Sequence, residues 1–437
     1  MQANQEAANA LERRIDMSVS LADIDKDVDT RLKNLSRTVK MPGFRPGKVP
    51  FKVVARTYEQ QVRLEAIEAA GEKAFEEAVR IQDLRVAGYP RIERKQAAAE
   101  GALEFSAVFE VYPEVVVGDL SGCEIERPVL EVGEAEVDKT LDVLRKQRAR
   151  FDQTGRAAAS GDRVVIDFTG RKGGVPFDGG QAQDFEFVLG AGSMLEEFDV
   201  NVAGLKAGES KTFDLTFPAD YHAGQMAGQT VQFEVVVKKV EAPVLPEVDS
   251  DFAKALGVAD GDTAKLRKEI RDNLERELKQ RIQARIKDQA MDALLAVTPI
   301  EAPKALVRAE SEQLAENARR ELEARGMAGK HVSVKADWFT DRAVRRVKLG
   351  LILAELVKDN ALRAKPEQTR ALIQEMAESY EDPSELVRWY YAQPERLAGA
   401  EAVVTEDNVV EWVCSKVKTS DKAVSFDELM GNNAAAA

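Results

Sequence analysis

The sequence predicts a multidomain protein of the α+β class, because its successive stretches carry different apolar periodicities. Residues 11–112 mix strand and helix patterns, residues 161–241 alternate apolar and polar positions between Gly turns, and residues beyond 262 keep almost wholly helical spacing. A chain of 437 residues is also too long for one core. Charged residues make up 32% of it and aromatic residues only 6%, which favours helix-rich domains with modest cores.

The N-terminal stretch, residues 1–112, is predicted to fold as one α+β module. Ile15, Met17 and Val19 alternate with polar neighbours, which is typical of a half-buried strand. Charged and apolar residues then mix at helical spacing, and a second alternation follows near the end of the stretch. The elements predicted after the first strand are a helix over 21–40, one helix or two over 54–81, and a strand over 103–111.

A connector over residues 113–150 is predicted to follow, and it ends in a helix that begins near Glu134. The next domain, residues 151–243, is predicted to consist mostly of short strands and Gly turns. Linkers are expected at its two ends, at the small residues 154–161 and at the Pro-containing exit Ala242–Pro246. The alternating positions predict strands over 164–168, 185–189 and 231–237.

Residues 244–430 are predicted to form a helical domain, followed by a disordered tail over 431–437. Apolar residues recur at every fourth position over 266–294. Because a helix turns ~100° per residue, this stripe advances by about 40° at each step and winds round the helix. The winding favours a long projecting arm, and the alternative is a central helix with neighbours on several sides. The remainder is predicted to break into short helices at Pro366, Pro383 and Pro394.

Charge is distributed unevenly along the chain. The formal net charge is -14, yet the stretch between Asp29 and Glu59 contains eight Lys and Arg residues and no acidic residue. A Pro- and Gly-rich loop over 41–50 lies at its centre, with Phe44 beside Arg45. A cationic tip on an acidic body predicts an anionic partner, and an apolar ring next to a planar cation suits a mixed surface of RNA and protein. The alternative is a solvated basic helix followed by an ordinary turn.

The residues present disfavour several classes of function. A phosphate-binding P-loop is excluded, because only three residues separate Gly43 from Gly47 and Val49 occupies the position of the metal-binding Ser or Thr. Two distant cysteines and two histidines disfavour a disulfide framework and a zinc site. The N-terminus lacks the apolar run of a signal peptide, and the longest apolar stretch, Leu349–Ala354, is far shorter than a membrane span of ~20 residues. A cytoplasmic protein is therefore expected.

The loop around Phe44 resembles a known sequence. GFRPGKVP, about forty residues from the N-terminus, is similar to the ribosome-docking signature of the trigger factor family of bacterial chaperones. The resemblance implies that the loop binds protein and RNA of the large ribosomal subunit near the exit tunnel. The residues that it assigns to docking are Gly43, Phe44, Arg45, Pro46, Gly47, Lys48 and Pro50.

The segment from Gly161 to Glu241 resembles an FKBP-type prolyl isomerase domain. Its motifs Val165–Gly170, Phe185–Gly190 and Val231–Glu234 follow the order of that family. The resemblance implies an antiparallel sheet wrapped on a short helix, with an aromatic cleft that accepts an X-Pro bond. The pocket residues that it implies are Phe168, Phe177, Asp178, Phe185, Leu195, Phe198, Tyr221 and Phe233.

Two functions remain open on the sequence. The first is a ribosome-associated, ATP-independent chaperone that binds nascent and unfolded polypeptides and isomerises X-Pro bonds. The resemblance then implies a discontinuous all-α domain with helical arms, built from residues 113–150 and 244–430. The second is a free cytosolic FKBP-type isomerase whose helices serve in dimerisation or interaction. The basic loop favours the first, since an isomerase alone does not need it. No cofactor, metal or membrane partner is expected. A weak homodimer is expected when the protein is not bound to the ribosome.

Overall fold

The computed structural model divides the chain into two compact units. One unit comprises Met1–Arg127 with Ala284–Lys422, and the other comprises Pro128–Gln283 with Ala423–Ala437. Within the described part of the chain, no helix is both long enough and apolar enough to cross a membrane. The described residues are 11–42, 44, 49–95, 101–218, 221, 226–325, 334–378, 380 and 382–430.

The N-terminal module combines an antiparallel sheet with long helices. Its elements are β1 (Glu12–Ser20), α1 (Leu21–Thr38), α2 (Phe51–Ile81), β2 (Val86–Arg94) and β3 (Ala102–Val111). The strands lie in the order β1-β3-β2, and Phe75 of α2 meets Phe109 of β3 edge to face at 5.0 Å in the core. The sequence predicts all of these elements except β2, whose alternation is broken by Gly88, Pro90 and a shift of register.

A connector leads from this module into a second antiparallel sheet. The elements in order are β4 (Glu124–Val129), α3 (Glu134–Gln147), β5 (Arg150–Gln153), β6 (Arg163–Lys172), β7 (Val175–Val188), α4 (Glu196–Val202), β8 (Ser210–Thr216) and β9 (Thr230–Val244). The sheet runs β5-β9-β6-β7, and β8 pairs with a different part of β9. The predicted strands in β6, β7 and β9 and the short helix α4 are confirmed, whereas β4, β5 and β8 were not predicted.

The stretch expected to be an exit linker is ordered. Within Ala242–Pro246, β9 continues as far as Val244, and this end of the strand pairs with β5 in the register Arg150↔Val244. The expectation of a loose linker is therefore wrong here. Pro243 did not end the strand because a Pro is tolerated where its missing N–H is not needed for strand pairing, and Pro246 lies beyond the strand end.

The small residues 154–161 are also held in place. The carboxylate of Asp162 has only 2% of its surface exposed, and it accepts two hydrogen bonds from the Arg156 guanidinium, at 2.6 and 2.7 Å. It accepts a third from the N–H of Ala159 at 2.8 Å. A buried carboxylate with three donors fixes the turn that leads into β6.

The winding apolar stripe is buried at successive heights. After α5 (Ser250–Ala255), helix α6 runs over Thr263–Val297. Leu266 and Ile270 near its start pack with Phe252, whereas Ala290 and Leu294 near its end belong to a separate core cluster. The predicted long helix is confirmed, with the two ends of its stripe buried in different clusters, and its role as an arm stays a prediction. Because the stripe drifts round α6, each apolar step meets a different neighbour.

The C-terminal part is mainly helical. Its elements are α7 (Lys304–Ala324), α8 (Thr340–Asp359), α9 (Pro366–Ala377), α10 (Pro383–Tyr391), α11 (Pro394–Lys416), β10 (Lys418–Ala423) and α12 (Phe426–Met430). The helix breaks predicted at Pro366, Pro383 and Pro394 are confirmed, since each of these prolines is the first residue of a helix. At that position the missing N–H has no intrahelical partner to lose. The prediction of only short helices is wrong for α11, which has 23 residues. Strand β10 pairs with β4 and was not predicted.

Candidate functional site

A cavity of about 590 Å³ opens between α4 and the sheet of β6, β7 and β9. It contains seven of the eight side chains that the sequence assigns to a pocket: Phe168, Phe177, Phe185, Leu195, Phe198, Tyr221 and Phe233. The eighth, Asp178, has its backbone in β7, and its side chain lies outside the described part of the structure. Residues from separate elements therefore converge on one concave surface.

Phe198 of α4 forms the floor of the cavity. Its side chain is 1% exposed, and its ring centre lies 5.4 Å from that of Phe233 and 6.0 Å from that of Phe168. All three rings meet edge to face or tilted, the arrangement that aromatic quadrupoles favour. Because α4 is short and amphipathic, burying Phe198 fixes the helix against the sheet.

Two glycines make room for the ring of Phe177. A Cβ atom built on Gly170 or on Gly180 would lie 2.7 Å from that ring, closer than van der Waals contact allows. The ring of Phe177 thus occupies the space that a side chain at position 170 or 180 would fill. Its centre lies 6.2 Å from that of Phe233 and 6.5 Å from that of Phe217, so it joins the floor to the far wall.

The far wall consists of Phe217 and Tyr221, whose rings are 4.6 Å apart. The N–H of Tyr221 donates to the carbonyl of Pro218, the residue after Phe217, at 3.1 Å. Sequence reasoning missed Phe217, although it continues the alternation of Phe213 and Leu215 on β8. The other cavity residues missed are Gly179, Gly192, Ser193, Met194, Leu215 and Met226.

The cavity is nearly free of polar side chains. Among the described residues that line it, Ser193 and Tyr221 carry hydroxyl groups and none carries a charge. Such a surface can exclude water from a bound peptide bond. It can favour a peptide bond that has lost its resonance and part of its dipole over the planar form, which water solvates better.

The basic loop is described only in part. Phe44 is 40% exposed, and its N–H donates to the carbonyl of Met41 at 3.1 Å. Val49 is 5% exposed in the core of the module, and exposed Pro50 precedes the first residue of α2. The two ends of the loop are therefore anchored while Phe44 faces outward. The other docking residues predicted, Gly43, Arg45, Pro46, Gly47 and Lys48, lie outside the described residues.

Family models match most of the chain. A model described as bacterial trigger factor protein matches residues 1–144, and the model for the C-terminus of that protein matches residues 262–415. A third, described as FKBP-type peptidyl-prolyl cis-trans isomerase, matches residues 154–238, which include the cavity over α4.

Curated relatives match the chain from end to end. The trigger factor of Aromatoleum aromaticum is 68% identical over 434 residues, and that of an Azoarcus species is 69% identical over 437, each match covering 99% of this chain and 100% of the relative. The trigger factor of Dechloromonas aromatica is 57% identical over 431 residues, with 99% of each chain covered. A solved structure of the trigger factor chaperone covers 94% of this chain and 99% of its own at 17% identity, with a TM-score of 0.43, too low to support the fold.

Proposed function

Since this chain belongs to the trigger factor family, a family of chaperones with an FKBP-type prolyl isomerase domain, we propose that two separate parts of it carry out two activities. The cavity over α4 isomerises X-Pro bonds. The loop around Phe44 docks on the large ribosomal subunit beside the exit tunnel, in the cytoplasm. A free isomerase with helices only for dimerisation is not favoured, because the family matches extend over the N-terminal and C-terminal stretches as well.

The observation that carries the isomerase assignment is the uncharged aromatic cavity. Rotation about an X-Pro bond is slow because the planar amide must lose its resonance, at a cost of ~18–20 kcal/mol. Phe168, Phe198 and Phe233 offer the twisted bond a dry surface, and the planar bond gives up more hydration to enter it. This route uses no nucleophile and no proton transfer. Asp178 is proposed to contact the substrate only on the strength of the family resemblance.

Docking is supported by the way in which the loop is presented. Buried Val49 and half-buried Met41 hold the residues on either side of the loop, and Phe44 is exposed to a partner. The flanking helix ends add basic residues that attract phosphate from a distance. An exposed aromatic ring beside cations is the type of residue that dominates binding energy at interfaces.

The helical domain is proposed to hold nascent and unfolded polypeptides without ATP. The described C-terminal part exposes large aromatic side chains, among them Trp338, Tyr380 and Trp389, each at least 48% exposed. Scattered apolar contacts of this kind suit weak binding to many unfolded sequences rather than tight binding to one.

The docking proposal is tested by co-sedimentation with ribosomes. Phe44→Ala combined with Arg45→Ala is expected to remove most of the association. The matched control is Tyr89→Ala with Arg91→Ala, a fully exposed aromatic residue and an exposed arginine on β2 of the same module. Association of the unchanged chain is expected to weaken as salt rises, since phosphate contacts release counterions. If the loop variant sediments with ribosomes to the same extent as the control variant, the loop does not form the docking surface.

A further inference from the structure

Two carboxylates stand on either side of the buried Phe198 in α4. Asp199 accepts a hydrogen bond from the N–H of Gly190 at 3.0 Å, and Glu197 accepts one from the N–H of Thr216 at 3.2 Å. We infer that Glu197 and Asp199 are positioning residues that hold the two sides of the cavity against its aromatic floor. The inference rests on the proposed function of this cavity in prolyl isomerisation.

Asp199 holds the near side. Gly190 follows the end of β7 and has a φ of +76°, so the chain turns sharply there towards Met194 and Leu195, which line the cavity. Leu195 in turn accepts a hydrogen bond from the N–H of Phe198 at 2.8 Å. Both ends of this turn are therefore fastened to α4, one through the Asp199 side chain and one through the backbone.

Glu197 holds the far side. Thr216 is the last residue of β8, and β8 pairs with β9 alone among the described strands. An N–H on the outer edge of such a strand needs an acceptor from elsewhere, and Glu197 supplies it. Phe217 of the far wall follows Thr216 directly, so the bond fixes the strand end next to that ring.

Asp199 is placed there at a cost in free energy. Its Oδ1 is buried and has no hydrogen-bond partner among the described residues. Burial raises the pKa of Asp199 above its ordinary 3.8, and the hydrogen bond from Gly190 opposes that shift. A buried carboxylate with one unsatisfied oxygen lowers the stability of the fold. Such destabilising residues are common at functional sites. Glu197 is exposed, so its bond is expected to have the smaller effect.

The test compares four variants in a proline tetrapeptide assay and by amide hydrogen exchange. Asp199→Ala is expected to lower kcat/KM on the order of tenfold, the loss that follows from removing a charged hydrogen bond. Asp199→Asn keeps an acceptor oxygen for Gly190 and is expected to recover most of the rate. Glu197→Ala is expected to cause a loss of a few fold, and Glu196→Ala, an exposed acid on the same helix, about none.

Hydrogen exchange separates positioning from general destabilisation. Asp199→Ala is expected to speed exchange at the amide of Gly190, and Glu197→Ala at that of Thr216, with the core of β6 and β9 unchanged. Faster local exchange with a full catalytic rate overturns the inference, and so does a loss of rate accompanied by equally faster exchange throughout the sheet. Glu197→Ala, whose side chain is exposed, keeps the test available should Asp199→Ala fail to fold.

Tyr221→Ala distinguishes this inference from the proposed function. Tyr221 belongs to the proposed pocket and contributes to neither carboxylate bond. A slow Tyr221→Ala variant beside a fully active Asp199→Ala variant overturns the positioning role and leaves the isomerase site in place. Full activity in both variants overturns the proposed site itself, and the inference with it.

Discussion

Phe198→Ala and Tyr221→Ala are expected to slow isomerisation alike but to differ sharply in stability. Phe198 is 1% exposed and packs against Phe168, Phe187, Phe213 and Phe233, so its removal leaves a cavity in the core. Truncation of a buried Phe costs about 3–5 kcal/mol. Tyr221 is half-buried at the rim, and the loss of its pairing with Phe217 costs about 1 kcal/mol.

Thermal and urea unfolding measure the difference. For a domain of about 90 residues, 1 kcal/mol moves the Tm by roughly 4–8 °C, so Phe198→Ala is expected to lower it by at least about 12 °C and Tyr221→Ala by a few degrees. The peptide rate is then followed at about 10 °C, where both variants are folded and the uncatalysed reaction takes minutes. Each variant is expected to lose on the order of tenfold or more in kcat/KM.

Either of two results would refute this reasoning. A Phe198→Ala variant that melts like the unchanged chain would mean that the ring is not a core residue. A Tyr221→Ala variant that keeps both its full rate and its stability would mean that the far wall is not part of the active site. Because the two variants differ in stability, a shared loss of rate cannot be attributed to unfolding.

Two further predictions concern stability. A hydrogen bond from Lys238 and another from the N–H of Asp184 hold the pKa of Asp167 below its ordinary 3.8. Ionised Asp167 therefore stabilises the fold above about pH 4, and this stabilisation is lost as the pH falls through the lowered pKa. As the pH is lowered, the free energy of unfolding is expected to fall less steeply for Asp167→Asn than for the unchanged chain. Identical acid profiles of the two proteins would contradict the pairing of Asp167 with Lys238. Gly88 has a φ of +85°, and a Cβ atom on it would clash with the Cβ of Ala305 in α7. Gly101 has a similar φ of +87°, but a Cβ atom on it would meet no neighbour within 4 Å. Gly88→Ala is therefore expected to lower the free energy of unfolding in urea more than Gly101→Ala does. Equal costs would show that the contact with α7 relaxes freely.

Sequence patterns predicted the elements whose residues alternate or repeat on their own. The strand containing Ile15 and Met17, the long helix α2 and the strand containing Phe233 and Val235 were all visible as periodicity. The aromatic cavity was found through its order along the chain, since no spacing rule links Phe168 to Phe198. The resemblance supplied what local pattern could not.

The elements that were missed depend on partners distant in the sequence. Strand β5 has four residues and forms only because Glu241–Val244 lies beside it, and β10 forms because β4 does. The burial of α6 depends on distant partners for the same reason. Its stripe showed that successive faces are apolar, but whether each face meets a neighbour depends on residues such as Phe252, which the stripe itself does not reveal.

Separation of the two activities is tested most directly by removing the isomerase domain at its paired ends. Since Arg150 and Val244 are partners across β5 and β9, their neighbours Ala149 and Leu245 lie close enough for a short Gly-Ser connector. The side chains of Arg145 and Arg148 donate to the carbonyls of Pro246 and Ala255 and hold both ends in place.

The chain without residues 150–244 is assayed for folding by circular dichroism, for co-sedimentation with ribosomes, for suppression of aggregation without ATP and for peptide isomerisation. We expect a helical, folded protein that binds ribosomes and keeps most of its suppression of aggregation, and that has no isomerase activity. A folded protein that still isomerises the peptide, or that no longer binds ribosomes, would contradict the assignment of the two activities to separate parts of the chain.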